Sequence, residues 1–132
     1  VSIHHNYAAI ETHFKKEVIV HRKGAIKAEL GELGIIPGSM GTPSYIVEGL
    51  GNKESFNSCS HGAGRVMSRK EANKTITKEM ADKAMENIVH KGFKRDLSEA
   101  PMAYKDIEEI IENQKDLVKP MVKLTPLGVI KG

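Results

Sequence analysis

Hydrophobic and polar positions follow two different rhythms along the chain. In the first half, short apolar runs are broken by turn formers: Glu17–His21 (EVIVH), Ala25–Leu30, Ser44–Glu48 (SYIVE) and Phe56–Cys59. Nine of the twelve glycines fall between Gly24 and Gly64, so these runs read as strands joined by tight loops, at 34–43 and 49–52. From Ser68 onward the period lengthens. Ser68 and Glu71 have capping-box spacing, and Ile76, Met80, Ala84 and Ile88 recur every four residues, which predicts a helix ended by Gly92 with that stripe in the core. A second helix is predicted from Asp106, with Ile107, Ile110, Ile111, Leu117 and Val118 as its apolar stripe and Pro120 as its end. The closing stretch 126–132 reads as a final short strand. The class is α+β: a strand- and glycine-loop-rich first half, then two helices and a last strand.

Composition narrows the possibilities. At 132 residues the chain has room for one domain with a core of its own, and its 39% hydrophobic content excludes a disordered tail. No apolar run is long enough to span a bilayer. The start, Val1-Ser2-Ile3-His4-His5, carries neither a signal peptide pattern nor an initiator Met, as expected of a piece of something longer. A single cysteine, Cys59, excludes an internal disulfide and a cysteine-rich zinc site, and fits a reducing, cytoplasmic setting. The net charge of +3 is compatible with a polyanionic partner without requiring one.

Chemistry concentrates in Ser58-Cys-Ser-His-Gly-Ala-Gly-Arg65. A histidine at a strand end, followed by two glycines and an arginine, suits an anionic ligand. The glycines let backbone N–H groups approach a phosphate, Arg65 offers a fork to its oxygens, and the imidazole can serve as acid, base or nucleophile. An incidental histidine at a strand-to-loop turn matches the spacing equally well. Neither a Walker loop nor a strand–GxGxxG–helix unit is present, which disfavours P-loop and Rossmann enzymes. Adjacent residues of an extended segment face opposite ways, so only one of His4 and His5 can face a given metal. Cys59 reads as a small buried residue rather than a nucleophile. The long, lightly charged 34–44 loop suits a surface lying against a ligand. Arg65, Arg69, Lys70 and Lys74 cluster at the start of the first helix, a placement that suits an anion as well as a solvated face.

Six segments, in order and in register, resemble the RNA-splicing ligase RtcB family: HHNYA at 4–8, HRKGA at 21–25, GIIPGSMGTPSYIV at 34–47, SCSHGAGRVMSR at 58–69, PMAYKD at 101–106 and GVIKG at 128–132. The resemblance runs from end to end and matches the C-terminal part of that family's catalytic domain. It implies a GTP- and Mn²⁺-dependent ligase joining RNA 2′,3′-cyclic phosphate or 3′-phosphate ends to 5′-hydroxyl ends. It implies that His61 takes GMP covalently and that Gly62, Ala63 and Gly64 cradle the nucleotide. Pro37, Gly38, Ser39, Met40 and Ser44 correspond to the guanylate-binding loop, and Tyr104 and Lys131 to guanine contacts. His5 corresponds to a manganese ligand and Asn6 to a nucleotide neighbour. Broken RNA ends such as tRNA halves are the implied partner, with an archease-like activator for some members. The family's other metal ligands fall outside these 132 residues, so this segment alone is expected to bind manganese weakly and to ligate nothing. Two other classes stand beside this one: a non-enzymatic nucleotide- or RNA-binding module, and a metal-dependent phosphohydrolase using His4, His5 and His61.

Overall fold

The computed structural model describes residues 1–130. Its first element is a hairpin of β1 (Asn6–His13) and β2 (Lys16–Lys23), paired antiparallel from Asn6↔Lys23 to His13↔Lys16. The two-residue turn, Phe14-Lys15, has φ of 52° and 63°, the left-handed pair that a tight hairpin turn requires. β3 (Ala25–Lys27) pairs with β6 (Ser58–Ser60). β4 (Leu33–Ile36), β5 (Ser44–Gly49) and β7 (Val118–Leu124) form a three-stranded antiparallel sheet with β5 in the middle. The helices are short: α1 (Arg69–Thr75), α2 (Lys78–Ala84) and α3 (Ile107–Glu112), with a 3₁₀ turn at Pro101–Ala103. None of them is long and apolar enough to cross a membrane.

Two cores result. The first joins the strands to α3 through Ile26, Ile36, Tyr45, Val47, Cys59, Ala63, Ile107, Ile111 and Val118. The second packs α1 and α2 against the 93–103 segment through Ala72, Ile76, Ala81, Met85, Phe93, Ala100 and Ala103.

The mixed α and β composition and the division into halves match the sequence reading, while several boundaries shift. β1 was not anticipated, because its inward residues include Tyr7, Glu11 and His13 rather than an apolar series. The run 34–43 is half strand: Leu33–Ile36 pairs with Tyr45–Glu48, and only residues 37–43 form a loop. The strand read at Phe56–Cys59 starts later, since Phe56 and Asn57 both adopt positive φ. The single long helix is two. Ile76 is extended at ψ 129°, and Thr77 caps a new helix by accepting from the N–H of Met80. The restart rotates the apolar face, so Ala81 and Met85 are buried whereas Met80 is 47% exposed. The helix from Asp106 stops at Glu112, and Leu117, Val118 and Pro120 belong to or border β7 instead. Pro120 is tolerated because β7 is an edge strand of its sheet. The final strand is thus β7; within 126–130 only Gly128 makes a bridge, to Val89.

Candidate active site

The site is built around Gly24, where β2 turns into β3. Gly24 has φ +74°, a conformation suited to glycine, and its N–H donates to the His5 carbonyl at 3.1 Å. Its own carbonyl accepts from the His61 N–H at 3.4 Å. One residue therefore anchors both histidines, and their rings stack with centroids 5.1 Å apart and planes 20° apart. His4 turns the other way, its ring edge-on to Tyr7 at 6.3 Å, as alternation along an extended segment requires. Asn6 Oδ1 lies 3.5 Å from His21 Nε2.

The base beneath this pair is rigid. Arg22, 2% exposed, forms a two-pronged pair with Glu11 at 2.5 and 3.0 Å. It also donates to Ser58 Oγ at 2.9 Å, to the Phe56 carbonyl at 2.8 Å and to Tyr7 Oη at 3.2 Å. His13 Nε2 completes the cluster 2.7 Å from Glu11. The guanidinium holds the Glu11 carboxyl down at about 2, against the opposing effect of burial. This network binds the hairpin to Ser58 at the start of β6, one residue ahead of Cys59 and three ahead of His61.

Past His61 the chain is pinned to two other loops. Ala63 N–H donates to the Pro37 carbonyl at 3.0 Å, and Gly64 accepts from Lys105 N–H at 3.0 Å. A Cβ on Gly62 would sit 3.2 Å from the Pro37 carbonyl oxygen, closer than side chains normally come. The loop beyond Pro37 is self-bonded: Ser39 N–H and hydroxyl both reach Thr42 Oγ1, at 2.7 and 2.9 Å.

Beside that loop opens a cleft of about 540 Å³ lined by Gly38, Ser39, Met40, Arg69, Asp96, Glu99 and Tyr104. It gathers four of the residues expected to hold a nucleotide, Gly38, Ser39, Met40 and Tyr104. Pro37 joins them through its bond to Ala63. Ser44, at the start of β5, and Asn6, beside His21, stand away from the cleft wall, as does His61 itself. Lys131 lies outside the described residues. Tyr104 stays a phenol, its titration raised by burial and by donation to Glu99. Asp96 and Glu99, absent from the sequence-derived site, complete the wall; they lie outside the six matching segments.

One expectation changes with the geometry and another holds. Arg65 does not offer its fork to a ligand: it donates to the Met67 carbonyl at 3.0 Å, the Ser98 carbonyl at 2.5 Å and Tyr104 Oη at 3.2 Å, with Glu99 at 3.6 Å. It positions Tyr104, lying 4.9 Å from that ring's centre. Burial pushes the Cys59 thiol up to about 12, so no thiolate is available there. Among the described residues, no group of three His, Cys, Asp or Glu converges in a way that could hold a metal ion. The stacked pair of His5 and His61 is not a complete donor set for a metal ion.

A model of the tRNA-splicing ligase RtcB family matches residues 1–132. The chain is 48% identical over 132 residues to the RNA-splicing ligase RtcB of Escherichia coli K12, covering all of this chain and 32% of that protein. It is 40% identical over 153 aligned residues to the protein of the same name from Mycobacterium tuberculosis H37Rv, covering 98% of this chain and 35% of the relative. It is 35% identical over 156 residues to the tRNA-splicing ligase RtcB of Pyrococcus horikoshii, covering 97% and 18%. The chain thus spans about a third of the bacterial relatives' length and less of the archaeal one. With the family model covering every residue, this chain belongs to the RtcB family.

Proposed function

We propose that this chain is the nucleotide-accepting portion of a GTP- and Mn²⁺-dependent RNA ligase, with His61 as the residue that carries GMP. The observation that supports this most is the joint anchoring of His5 and His61 by Gly24, next to the Pro37–Met40 loop, in a chain whose whole length matches the family. An unprotonated imidazole nitrogen is a competent nucleophile near neutral pH, which a lysine amine is not unless its pKa is depressed.

In the proposed sequence, a ring nitrogen of His61 attacks the α-phosphorus of GTP, forming a P–N bond and releasing pyrophosphate. An oxygen of an RNA 3′-phosphate then attacks the same phosphorus, breaking the P–N bond and carrying GMP onto the RNA end. A 5′-hydroxyl finally attacks the RNA phosphate, losing its proton as GMP departs, and the strands are joined. Each step exchanges one phosphoryl bond for another, which divides a hard displacement into easier ones. Bound manganese would supply positive charge to the phosphoryl oxygens, with His5 as the donor from this chain. Backbone N–H groups of Gly62 and Gly64 face the same task, and the Pro37–Met40 loop with Tyr104 holds the base.

Replacing His61 by Ala in a full-length RtcB polypeptide that carries these 132 residues separates the three classes. A ligase loses joined RNA product. A binding module keeps its nucleotide and RNA affinity as its whole function, and a phosphohydrolase is revealed by inorganic phosphate released from RNA ends without joining.

A further inference from the structure

The positive charge of this chain is localised. Residues 65–95 hold nine Lys and Arg against four Asp and Glu, a net of +5 in a chain that totals +3, so the remainder is slightly acidic. Two of those cations are consumed internally, since Arg65 and Arg69 both pair with Glu99. Lys70, Lys74, Lys91, Lys94 and Arg95 are exposed, and none makes an ion pair or side-chain hydrogen bond among the described residues.

The fold puts Lys91 and Lys94 with Asp96 around a second cleft and bonds Asp96 to Asn73 of α1, which carries Lys70 and Lys74. Lys70 and Lys74, four apart, share one face of α1. Between them Asn73 accepts from Leu97 N–H at 2.6 Å and donates to Asp96 at 3.1 Å. That ties the segment following Lys94 and Arg95 to α1 at Asn73, one turn from Lys70. Glu71, three residues before Lys74, borders the lysine face on the side away from Asn73. The 90–95 loop is held in place: Phe93 is 9% exposed in the second core, and Gly92 N–H donates to His90 Nδ1 at 3.0 Å. Asp96 and Arg69 also line the cleft, so the basic ridge begins at the cleft's rim.

We propose that this ridge binds the phosphate backbone of a single RNA strand that runs past the rim of the cleft. It rests on the reading of this chain as part of an RNA ligase. Exposed cations with no ion-pair partner among the described residues, on α1 and the anchored 90–95 loop, suit a polyanion bound through counterion release rather than base recognition.

The test uses the 132-residue chain and a fluorescein-labelled single-stranded RNA bearing a 3′-phosphate, with binding followed by anisotropy at several salt concentrations. Five phosphate contacts give a log–log salt slope of about −3.5, or about a hundredfold loss of affinity for a fourfold rise in salt. Lys70→Gln with Lys74→Gln, and separately Lys91→Gln with Lys94→Gln and Arg95→Gln, should each flatten the slope by about 0.7 per contact removed. Lys15→Gln with Lys16→Gln, at the hairpin tip, should leave it unchanged; circular dichroism confirms that each variant is folded. No RNA binding by the parent chain, unchanged slopes in the ridge variants, or an equal loss in the hairpin control would each overturn the ridge. GMP labelling of His61 in a full-length context is read separately. RNA binding through the ridge without such labelling removes the ligase reading alone, and labelling with ridge variants that bind normally removes the ridge alone.

Discussion

His61 and His5, 56 positions apart in the sequence, lie ring on ring 5.1 Å apart because Gly24 hydrogen-bonds to the backbone of both. The stack fixes the plane of the His61 imidazole, and that plane determines where its nucleophilic nitrogens point. Removing His5 should therefore misplace the nucleophile as well as remove a metal donor. In a full-length RtcB polypeptide carrying these residues, His5→Ala is expected to lower GMP labelling by about 100-fold, the scale of a misplacement of about 1 Å. His4→Ala, whose ring faces Tyr7, should change labelling less than about threefold. Equal losses from the two substitutions would contradict this assignment.

The Pro37–Met40 loop is closed by a bond pattern that leaves no space at Gly38. A Cβ there would lie 2.6 Å from Thr42 Oγ1 and collide with the Pro43 carbonyl. Gly38→Ala must open the loop, and a cost of about 1–3 kcal/mol is expected in urea unfolding, with weaker GTP binding beyond it. A variant of unchanged stability would show that the loop adapts freely.

Acid stability reports on the buried pair beneath the site. The folded Glu11 carboxyl is held at about 2, below its usual 4.5, by Arg22. A depressed folded pKa stabilises the fold above the unfolded value, and that contribution disappears as pH falls from about 4.5 to 2. The linkage is worth up to about 3 kcal/mol. Glu11→Gln should flatten stability between pH 5 and pH 2. It should also lower stability at pH 7 by about 3 kcal/mol or more, because Arg22 keeps a buried charge. A variant with the parent's acid limb would refute the role given to this pair.

Cys59 should be inert in the folded chain. At 4% exposure and with its thiol pushed up to about 12, it is expected to resist maleimide at pH 7 in native buffer and to react fully in urea. Rapid native labelling would reopen a role for its thiolate.

How much of this was legible depends on how local the determinants are. The caps at Ser68 and Asp106 are written into a few adjacent residues, and both form: Ser68 Oγ accepts from Glu71 N–H and Asp106 from Glu108 N–H. β5 alternates cleanly and lies where its pattern puts it. β1 was hidden because its buried face is largely polar, satisfied by an arginine on the neighbouring strand. The break at Ile76 was hidden because that residue keeps the four-residue period while its backbone leaves the helix. The HGAG segment showed an anion-friendly motif, but nothing in its spacing indicated that His5 would stack on it; the resemblance to the family supplied His5, and the fold supplied the contact. Asp96 and Glu99 reach the cleft through Asn73, Arg65 and Arg69, contacts between residues 23 to 34 positions apart that no local pattern encodes.

The central claim is that His61 carries GMP. A full-length RtcB polypeptide bearing these 132 residues, incubated with α-labelled GTP and Mn²⁺, should acquire label through an acid-labile, base-stable P–N bond on the peptide containing His61. His61→Ala should abolish it. Label on a lysine, or labelling that survives His61→Ala, would contradict the account.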